Sequence, residues 1–298
     1  MAIDHDSLMT FDIPEVRQSY GAHDVALFGL SVGMGQDPLD LRELAYAGGL
    51  TDDRRAMPAM ANVLGHPGFW LDDPATGVDA ACVLHGEQAM VLHADLPPEG
   101  EVVAKTRVTG IVDKGAGRGA LLYSEKDIRD AATGAPLATC RATTVLRGDG
   151  GFGGPAGPVR EAHRLPDTAP AHVFDTPTRP EQALLYRWNG DPNPLHLDPR
   201  AALGAGFERP ILHGLCTFGC AAHALLAVLC DFDASRFGAM EGRFTAVVYP
   251  GETLRTEIWT DGSFRTRVVE RDTIAIGNGL FRHRGTGWVS RPGCATAL

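Results

Sequence analysis

The chain has 298 residues, of which 44% are hydrophobic and 21% are charged, and its formal net charge is −10. This composition excludes a disordered chain, and the negative charge excludes binding of nucleic acid or an anionic membrane through the overall field. The length allows one large domain or two of about 150 residues. Any anionic ligand must therefore meet a local cluster of basic side chains.

The sequence carries no targeting pattern. Residues 1–20 lack the basic and apolar stretches of a secretory signal, and no run of about 18 apolar residues predicts a membrane span. Residues 294–298 do not form a Ser-Lys-Leu-type peroxisomal address. The six cysteines are scattered, which is typical of reduced, mostly buried thiols. We expect a cytoplasmic bacterial protein rather than a peroxisomal one.

In chain order, the first half predicts a helix followed by antiparallel strands. Apolar side chains on one face predict the helix over residues 23–34, and an irregular segment follows over 37–79. Alternating patterns and turn residues then predict strands over residues 88–93, 101–112, 120–128 and 137–147.

A long connector, residues 148–180, divides the sequence. It is rich in glycine and proline and shows neither a helical nor a strand period. Gly148, Gly150 and Gly153 match the spacing of a dinucleotide-binding fingerprint, but that fingerprint requires a helix to begin there, and Pro155 follows instead. A flexible linker is the preferred interpretation.

The second half repeats the order of the first. It predicts a helix and then strands, over residues 214–230, 240–249, 252–260, 266–270 and 273–281. Gly251-Glu252 opens a strand shortly after a proline, as Gly100-Glu101 does in the first half. The shared order predicts two copies of an α+β unit, residues 1–147 and 181–298, each with a helix against an antiparallel sheet.

Four side chains of zinc-binding type fall on one face of the second predicted helix: His213, Cys216, Cys220 and His223. The helix from His213 to His223 would span about 15 Å, which is too far for one tetrahedral ion. We expect buried side chains here rather than metal ligands.

Residues 186–199 contain the strongest chemical pattern. Asp191, Asn193 and His196 occur within six residues among prolines. Turn chemistry alone explains such a composition. However, the long helix that begins near Gly214 has unpaired first-turn N–H donors. A rigid acid and imidazole beside those donors would form an acid–base pair with an oxyanion site.

These residues resemble a known family. The segments 186–199 and 209–215 resemble the signature of the MaoC-like, R-specific enoyl-CoA hydratases, also called hydratase 2. Four further segments resemble the two-repeat form of this family: residues 20–28, 84–88, 113–115 and 151–154. The resemblance implies a double hot-dog fold of class α+β, in which each repeat wraps a curved antiparallel sheet around a long helix. It also implies a non-catalytic first repeat that accommodates the acyl chain.

The resemblance implies roles for particular residues. Asp191 and His196 would be the catalytic pair, with Asn193 orienting them or the bound water. The backbone N–H of Gly214 would bind the thioester oxygen. Further residues would bind the substrate: His85, Gly86, Lys114, Gly190, His213 and Phe244.

The implied reaction is the reversible hydration of trans-2-enoyl-CoA to (3R)-3-hydroxyacyl-CoA. It needs no metal and no other cofactor, because the substrate itself is a CoA thioester. The residues alone leave open which of Asp191 and His196 is the acid and which is the base. The resemblance also implies a homodimer, and we expect neither a nucleic-acid nor a membrane partner.

Other functions stay open at this point. A 3-hydroxyacyl-carrier-protein dehydratase of lipid synthesis would use the same loop in reverse. A non-catalytic acyl-CoA-binding hot-dog protein would not need Asp191, Asn193 and His196 together, and a thioesterase would carry its reacting group elsewhere. Trp188-Asn189 replaces the aliphatic residue and Ser or Thr that are commoner in the family, which leaves the width of the substrate pocket open.

Overall fold

The computed structural model describes residues 3–49 and 53–286. Within these residues the helices are α1 His5–Met9, α2 Ala22–Ser31, α3 Leu41–Leu44, α4 Gln182–Tyr186, α5 Pro199–Gly204 and α6 Gly214–Cys230. The strands are β1 Val16–Tyr20, β2 Val83–Leu92, β3 Gly100–Asp113, β4 Ala120–Asp130, β5 Pro136–Leu146, β6 His172–Pro177, β7 Phe237–Phe244, β8 Thr253–Ile258, β9 Ser263–Val268 and β10 Thr273–His283.

The strands form a single 10-stranded sheet in the order β1-β3-β4-β5-β2-β7-β10-β9-β8-β6. The second five strands repeat the internal order of the first five in reverse, so each half of the sheet is one repeat. The predicted duplication of an α+β unit is therefore confirmed. The similarity between the segments that begin at Gly100 and Gly251 has a structural basis, because each leads into an equivalent strand, β3 in the first repeat and β8 in the second.

The two repeats join through the antiparallel pair β2–β7. The register runs from Glu87 opposite Arg243 to Val91 opposite Ala239. The carboxylate of Glu87 also accepts a hydrogen bond from Arg243 Nε at 2.8 Å. This pairing fixes the start of β2 in the first repeat beside the end of β7 in the second.

Helix α6 fills the centre of the second repeat, and both of its predicted ends are confirmed. Most of its 17 residues are buried, because strands of both repeats and the 3-10 turn Pro58–Asn62 surround it. A helix that is apolar on all sides is typical of a protein core.

The first repeat has a shorter helix, α2, which ends at Ser31 although the sequence predicts helix to residue 34. It packs against α4 and against the 3-10 turn Arg187–Asn189 of the second repeat. The Ser31 carbonyl accepts a 2.5 Å hydrogen bond from Gln182 Nε2, and the Ser31 hydroxyl accepts one of 2.9 Å from Asn189 Nδ2. Helix α2 therefore supports the segment that leads into residues 186–199.

The predicted connector ends in a strand that the sequence analysis did not predict. Residues 172–177 form β6, an edge strand paired with β8, so the prediction of no strand over 148–180 is wrong there. The strand carries Asp175 and ends at Pro177, residues that an edge strand tolerates because one side of its backbone needs no partner. Upstream, Arg160 forms an ion pair with Glu241 of β7, which ties the connector to the sheet.

The cysteines behave as the sequence predicts in the part that is described. Cys82, Cys140, Cys216, Cys220 and Cys230 are free thiols, and all but Cys82 are buried. The sixth cysteine and the C-terminal address lie outside the described residues. Across 3–49 and 53–286, no helix combines the length and apolar character needed to cross a membrane.

The contact between α6 and the first repeat gives a test of the packing. A Cβ on Gly219 would lie 2.4 Å from Cγ1 of Val32, so Gly219→Ala should lower the free energy of unfolding by about 1–3 kcal/mol through overpacking. Gly204→Ala in α5 is the control, because a Cβ there meets nothing within 4 Å. Thermal unfolding that is equally affected, or unaffected, in both variants would contradict this packing.

Candidate active site at the junction of the repeats

The loop of residues 186–199 is held by its own backbone. The 3-10 turn Arg187–Asn189 follows α4 directly and ends at Gly190, whose φ of 107° lies in the left-handed region that favours glycine. The N–H of Asp191 donates to the carbonyl of Arg187 at 3.1 Å. The side chain of Trp188 is 71% exposed, so it does not narrow a buried pocket.

Asn193 acts on the loop rather than on the imidazole of His196. Its backbone N–H donates to Asp191 Oδ1 at 3.1 Å. Its side-chain oxygen accepts the N–H of Leu195 at 3.0 Å and so begins the 3-10 turn Pro194–His196. Asn193 therefore orients the Asp191 carboxylate through the main chain and fixes the turn that carries His196.

His196 is 9% exposed, and its hydrogen bonding defines which nitrogen carries the proton. Its Nδ1 lies 2.9 Å from the carbonyl oxygen of Ile211. A carbonyl only accepts, so Nδ1 is the donor and Nε2 keeps a free lone pair in the neutral ring. Burial lowers the pKa of His196, against opposing effects of the Ile211 carbonyl and the Asp191 carboxylate.

His213, the N-cap residue of α6, packs its ring on that of His196. The centroids are 3.8 Å apart, and the ring of Tyr186 lies 4.9 Å away on another side. Within the described residues neither ring nitrogen of His213 has a hydrogen-bond partner, nor does the Tyr186 hydroxyl. Burial, followed by the neighbouring His196, lowers the pKa of His213 to about 3, so the ring stays neutral.

Asp191, His196 and His213 form one cluster, in which a carboxylate oxygen and two imidazole nitrogens lie within 4.8 Å of one another. A carboxylate and a neutral imidazole at this separation can hold one water between them and exchange its protons. The side chains are also of types that bind metal ions, and the sequence-based expectation that no metal is needed stays a prediction. The zinc pattern on α6 has other partners, since Cys216 Sγ donates to the Ser31 carbonyl and His223 pairs with Glu43.

The first turn of α6 begins beside this cluster. Gly214 is its first residue, and the N–H groups of a first turn have no acceptor within the helix. A Cβ on Gly214 would lie 3.5 Å from the ring of Phe244 at the end of β7. The ring of Phe244 therefore packs against the start of the helix.

The first repeat reaches the site through β2. The ring of His85 stands edge-on to Phe244, with centroids 4.8 Å apart. The register between β2 and β5 shifts between His85 and Glu87, so Gly86 lies at a bulge, and a Cβ on it would lie 2.9 Å from Val145 Cγ2. A bulge of this kind redirects the neighbouring side chain.

A hydrogen-bonded chain orients His85. Its Nε2 lies 2.9 Å from Gln88 Oε1, and Gln88 Nε2 donates to Asn62 Oδ1 at 2.7 Å. Burial lowers the pKa of His85, while Gln88 and the more distant Asp191 carboxylate raise it. The acid of the second repeat therefore acts electrostatically on a side chain of the first.

Lys114 is not part of this cluster. It is exposed in the turn between β3 and β4, at the same end of the sheet as His85, because Asp113, Ala120, Leu146 and Val83 lie in register across four strands. Three strand spacings amount to about 14 Å. Of the ten site residues predicted from sequence, Lys114 lies on this distant turn, Gly190 and Asn193 shape the loop, and Gly86 lies at the bulge of β2 against β5. The other six lie at or near the start of α6: His85, Asp191, His196, His213, Gly214 and Phe244.

Sequence reasoning missed several residues near the site. His66 is exposed, and it lies within electrostatic reach of both Lys126 and Asp191. Lys126 is 6% exposed and donates to the carbonyls of Asn62 and Leu64 at 2.9 and 2.6 Å. Burial lowers the pKa of Lys126 to about 8. No motif marks these residues, because they meet only after β2 and β4 have paired with β5.

A separate cavity of about 490 Å³ lies near the other end of α6. Its charged lining consists of Arg54 and Arg55 together with Asp95 and Asp233. The opposite charges balance, and the cavity contains none of the side chains of the Asp191 cluster. We do not assign it to the site.

Two family models match the chain. The first, "MFE-2 hydratase 2 N-terminal domain", covers residues 18–148, and the second, "MaoC like domain", covers residues 161–279. The enoyl-CoA hydratase ChsH3 of Mycobacterium tuberculosis is 42% identical over 269 residues, which are 88% of this chain and 91% of that protein. The peroxisomal enoyl-CoA hydratase 2 of Arabidopsis thaliana is 38% identical over 288 residues, covering 91% of this chain and 93% of that protein.

Solved structures give the same result. The MaoC-like dehydratase of Phytophthora capsici superposes with a TM-score of 0.81 at 28% identity, covering 95% of this chain and 99% of that one. A Mycobacterium tuberculosis protein with a double hot-dog fold has a TM-score of 0.55 at 17% identity, covering 92% and 94%, which concerns the fold alone. The fold is thus that of a double hot-dog protein with an Asp–His site at the repeat junction. The chain belongs to the MaoC-like hydratase 2 family in its two-repeat form.

The neutral, buried His213 predicts a pH dependence of stability. Its pKa is about 3 in the folded protein and near 6.5 when unfolded, so the unfolded state takes up the proton first and stability falls as the pH drops from 6.5 towards 3. The loss is up to about 1.4 kcal/mol per pH unit for this group. Urea unfolding at pH 7, 6 and 5 should show a weaker pH dependence in His213→Gln than in the wild type. Equal dependence would contradict the buried neutral ring.

Proposed function

We propose that the protein catalyses the reversible hydration of trans-2-enoyl-CoA to (3R)-3-hydroxyacyl-CoA. The observation that carries the proposal is the cluster of Asp191 and His196, with proton-exchanging atoms within 4.8 Å, beside the first turn of α6. An acid–base pair next to free N–H groups is what addition of water to an unsaturated thioester requires. Relatives named enoyl-CoA hydratases at 38–42% identity support the same reaction.

His196 is the proposed base. Since its Nδ1–H is engaged by the Ile211 carbonyl, its Nε2 lone pair faces the cluster and takes a proton from the water. The lowered pKa of His196 keeps this lone pair free at neutral pH. Asp191 accepts the second hydrogen of the same water and fixes the direction from which its oxygen attacks. General acid–base help of this kind contributes about 10²–10⁴-fold in rate.

The N–H of Gly214 is the proposed oxyanion donor. When the water oxygen bonds to C3, the C2=C3 electron pair moves towards the carbonyl and negative charge develops on the thioester oxygen. A helix N-terminus favours that charge, and one such donor is worth about 3 kcal/mol. The proton held on His196 then returns to C2, so one water supplies both the hydroxyl and the hydrogen, and the enzyme ends in its starting state.

The first repeat is proposed to bind rather than to react. His85 and Phe244 meet at the start of α6, where the pantetheine arm would pass. Lys114 lies three strands away, about 14 Å across the same end of the sheet, and would bind the phosphates of CoA. A local cation is needed there because the net charge of the chain is negative. The first repeat is also proposed to accommodate the acyl chain, as the family resemblance implies.

The homodimer is proposed on the family resemblance, and the cytoplasmic location stays the expectation stated from the sequence. Light scattering on the purified protein tests the oligomeric state, and a mass of twice 31.7 kDa is expected. A panel of trans-2-enoyl-CoA esters of increasing bulk, followed by loss of the enoyl absorbance and by product chirality, tests the reaction and its substrate range. Faster turnover of carrier-protein thioesters than of CoA esters would favour the dehydratase of lipid synthesis instead.

Removing either member of the pair tests the mechanism. Asp191→Asn and His196→Gln should each lower kcat for hydration by about 10²–10⁴-fold, with unfolding and CoA-ester binding largely unchanged. Asp198→Asn is the matched control, because Asp198 caps α5 only seven residues beyond Asp191 and Asn is an equally good cap. Wild-type turnover in either of the first two variants would rule out the pair.

The proposed contact with CoA predicts a selective loss of affinity. Lys114→Ala should raise KM for CoA esters roughly five-fold, the effect of about 1 kcal/mol for an exposed ion pair, and leave kcat unchanged. Arg129→Ala, at the opposite end of the adjacent strand β4, removes the same charge without approaching the site. An unaltered KM in Lys114→Ala, or an equal rise in Arg129→Ala, would reject the role of Lys114.

A further inference from the structure

The glycine-rich start of the connector lies directly on the turn that carries Lys114. The carboxylate of Asp113 accepts the N–H of Gly115 within this turn at 2.8 Å. It also accepts the N–H groups of Gly151 and Gly153 of the connector, at 2.7 and 2.8 Å. One carboxylate thus joins two segments that are almost forty residues apart in the sequence.

The two backbones approach each other closely. A Cβ on Gly150 would lie 2.3 Å from the carbonyl oxygen of Gly115 and 2.7 Å from the nitrogen of Gly119, so only glycine fits there. Gly151 has a φ of 91°, which bends the connector onto the turn. The N–H of Asp113 donates in the same direction, to the Pro155 carbonyl at 2.8 Å.

The turn between β3 and β4 is rich in glycine and carries two cations. Gly115, Gly117 and Gly119 all have positive φ values, and glycines lose more conformational entropy on ordering than other residues. Within the described residues, neither Lys114 nor Arg118 forms an ion pair, and both side chains are exposed. The turn has two backbone hydrogen bonds of its own, from Lys114 N–H to the Gly119 carbonyl at 3.1 Å and from Arg118 N–H to the Gly115 carbonyl at 3.0 Å. It therefore presents two cations on a glycine-rich backbone, which the contacts to Asp113 and Gly150 hold further in place.

The Asp113 carboxylate is suited to holding the connector against the β3–β4 turn. Its pKa is lowered by the N–H of Gly151, then by that of Gly115, so the carboxylate is ionised at neutral pH. It touches neither the Asp191 cluster nor the start of α6. Asp113 would therefore act on a ligand through the turn, because it orders Lys114 and Arg118 before the ligand binds. Binding then does not have to supply the free energy that ordering these two side chains costs.

We propose that Asp113 is a positioning residue for the nucleotide end of the substrate: it clasps the connector to the β3–β4 turn and so presents Lys114 and Arg118 to the phosphates of CoA. This inference rests on the proposed function, in which the substrate is a CoA thioester. It gives the glycine-rich segment a role that neither a dinucleotide fingerprint nor a flexible linker has. Arg118 becomes the second phosphate ligand of the turn.

The test compares Asp113→Ala with two substrates that carry the same enoyl group, one on CoA and one on N-acetylcysteamine, which has no phosphates. Asp113→Ala should raise KM for the CoA ester roughly five- to ten-fold with kcat within two-fold, since a pre-ordered site is lost. Both constants for the N-acetylcysteamine ester should stay at wild-type values. Asp113→Asn keeps one acceptor oxygen and should fall between the wild type and Asp113→Ala.

Asp130→Ala is the matched control. Asp130 accepts the N–H of Thr133 at 2.8 Å in the β4–β5 turn, at the opposite end of the same sheet, and should leave KM for the CoA ester unchanged. Calorimetric titration with free CoA supplies a readout that does not depend on turnover, and the dissociation constant should rise in Asp113→Ala and Asp113→Asn only.

The outcomes separate this inference from the proposed function. If Lys114→Ala weakens CoA binding but both Asp113 variants bind CoA as the wild type does, the positioning role of Asp113 is wrong and the proposed function stands. If the Asp113 variants lose activity equally on both thioesters, the carboxylate only stabilises the fold and the inference fails. If the wild type hydrates neither ester, yet the Asp113 variants raise the dissociation constant for CoA, the proposed reaction fails and the positioning role of Asp113 stands.

Discussion

The site depends on one backbone interaction, the antiparallel pairing of β2 with β7. It is the only pairing between the two half-sheets in the described part of the chain, and its register places His85 of the first repeat against Phe244 of the second. A slip of one residue would turn every side chain of β2 to the other face, and His85 would leave the start of α6. The position of the proposed binding residues therefore follows from strand register, while that of the proposed acid–base pair follows from the 186–199 loop.

The two repeats share a topology and differ where chemistry is needed. The second has a 17-residue helix that begins beside Asp191 and His196, so its free first-turn N–H groups lie next to a neutral imidazole. The first has only the ten-residue α2, which packs against the second repeat and holds the 186–199 loop through Ser31. Duplication thus supplied two similar scaffolds, and the net charge of −10 leaves the recognition of an anionic substrate to a few placed cations.

Local patterns predicted the fold well, because strand alternation and the apolar run of α6 are encoded within each segment. The ends of α6 and the approximate positions of four strands in each repeat followed from such patterns, whereas the order of the strands in the sheet did not. The Asp191–His196 loop was found by its motif. The two edge strands of the sheet, β1 and β6, were both missed. β6 contains Asp175 and Pro177 and has no clear period. The hydrogen bonds from the connector to Asp113 depend on contacts between distant segments, which no local pattern in one sequence marks. The same holds for the hydrogen bonds that link His85 through Gln88 to Asn62.

We propose that one substrate spans both repeats, with its reacting carbons in the second and its nucleotide on the first. A crystal structure of Asp191→Asn with trans-2-enoyl-CoA bound tests it most directly. We expect the thioester oxygen at the N–H of Gly214, C3 facing His196, and the phosphates at the turn that carries Lys114. A thioester bound away from the start of α6, or a nucleotide seated in the cavity beside Arg54 and Arg55, would contradict it.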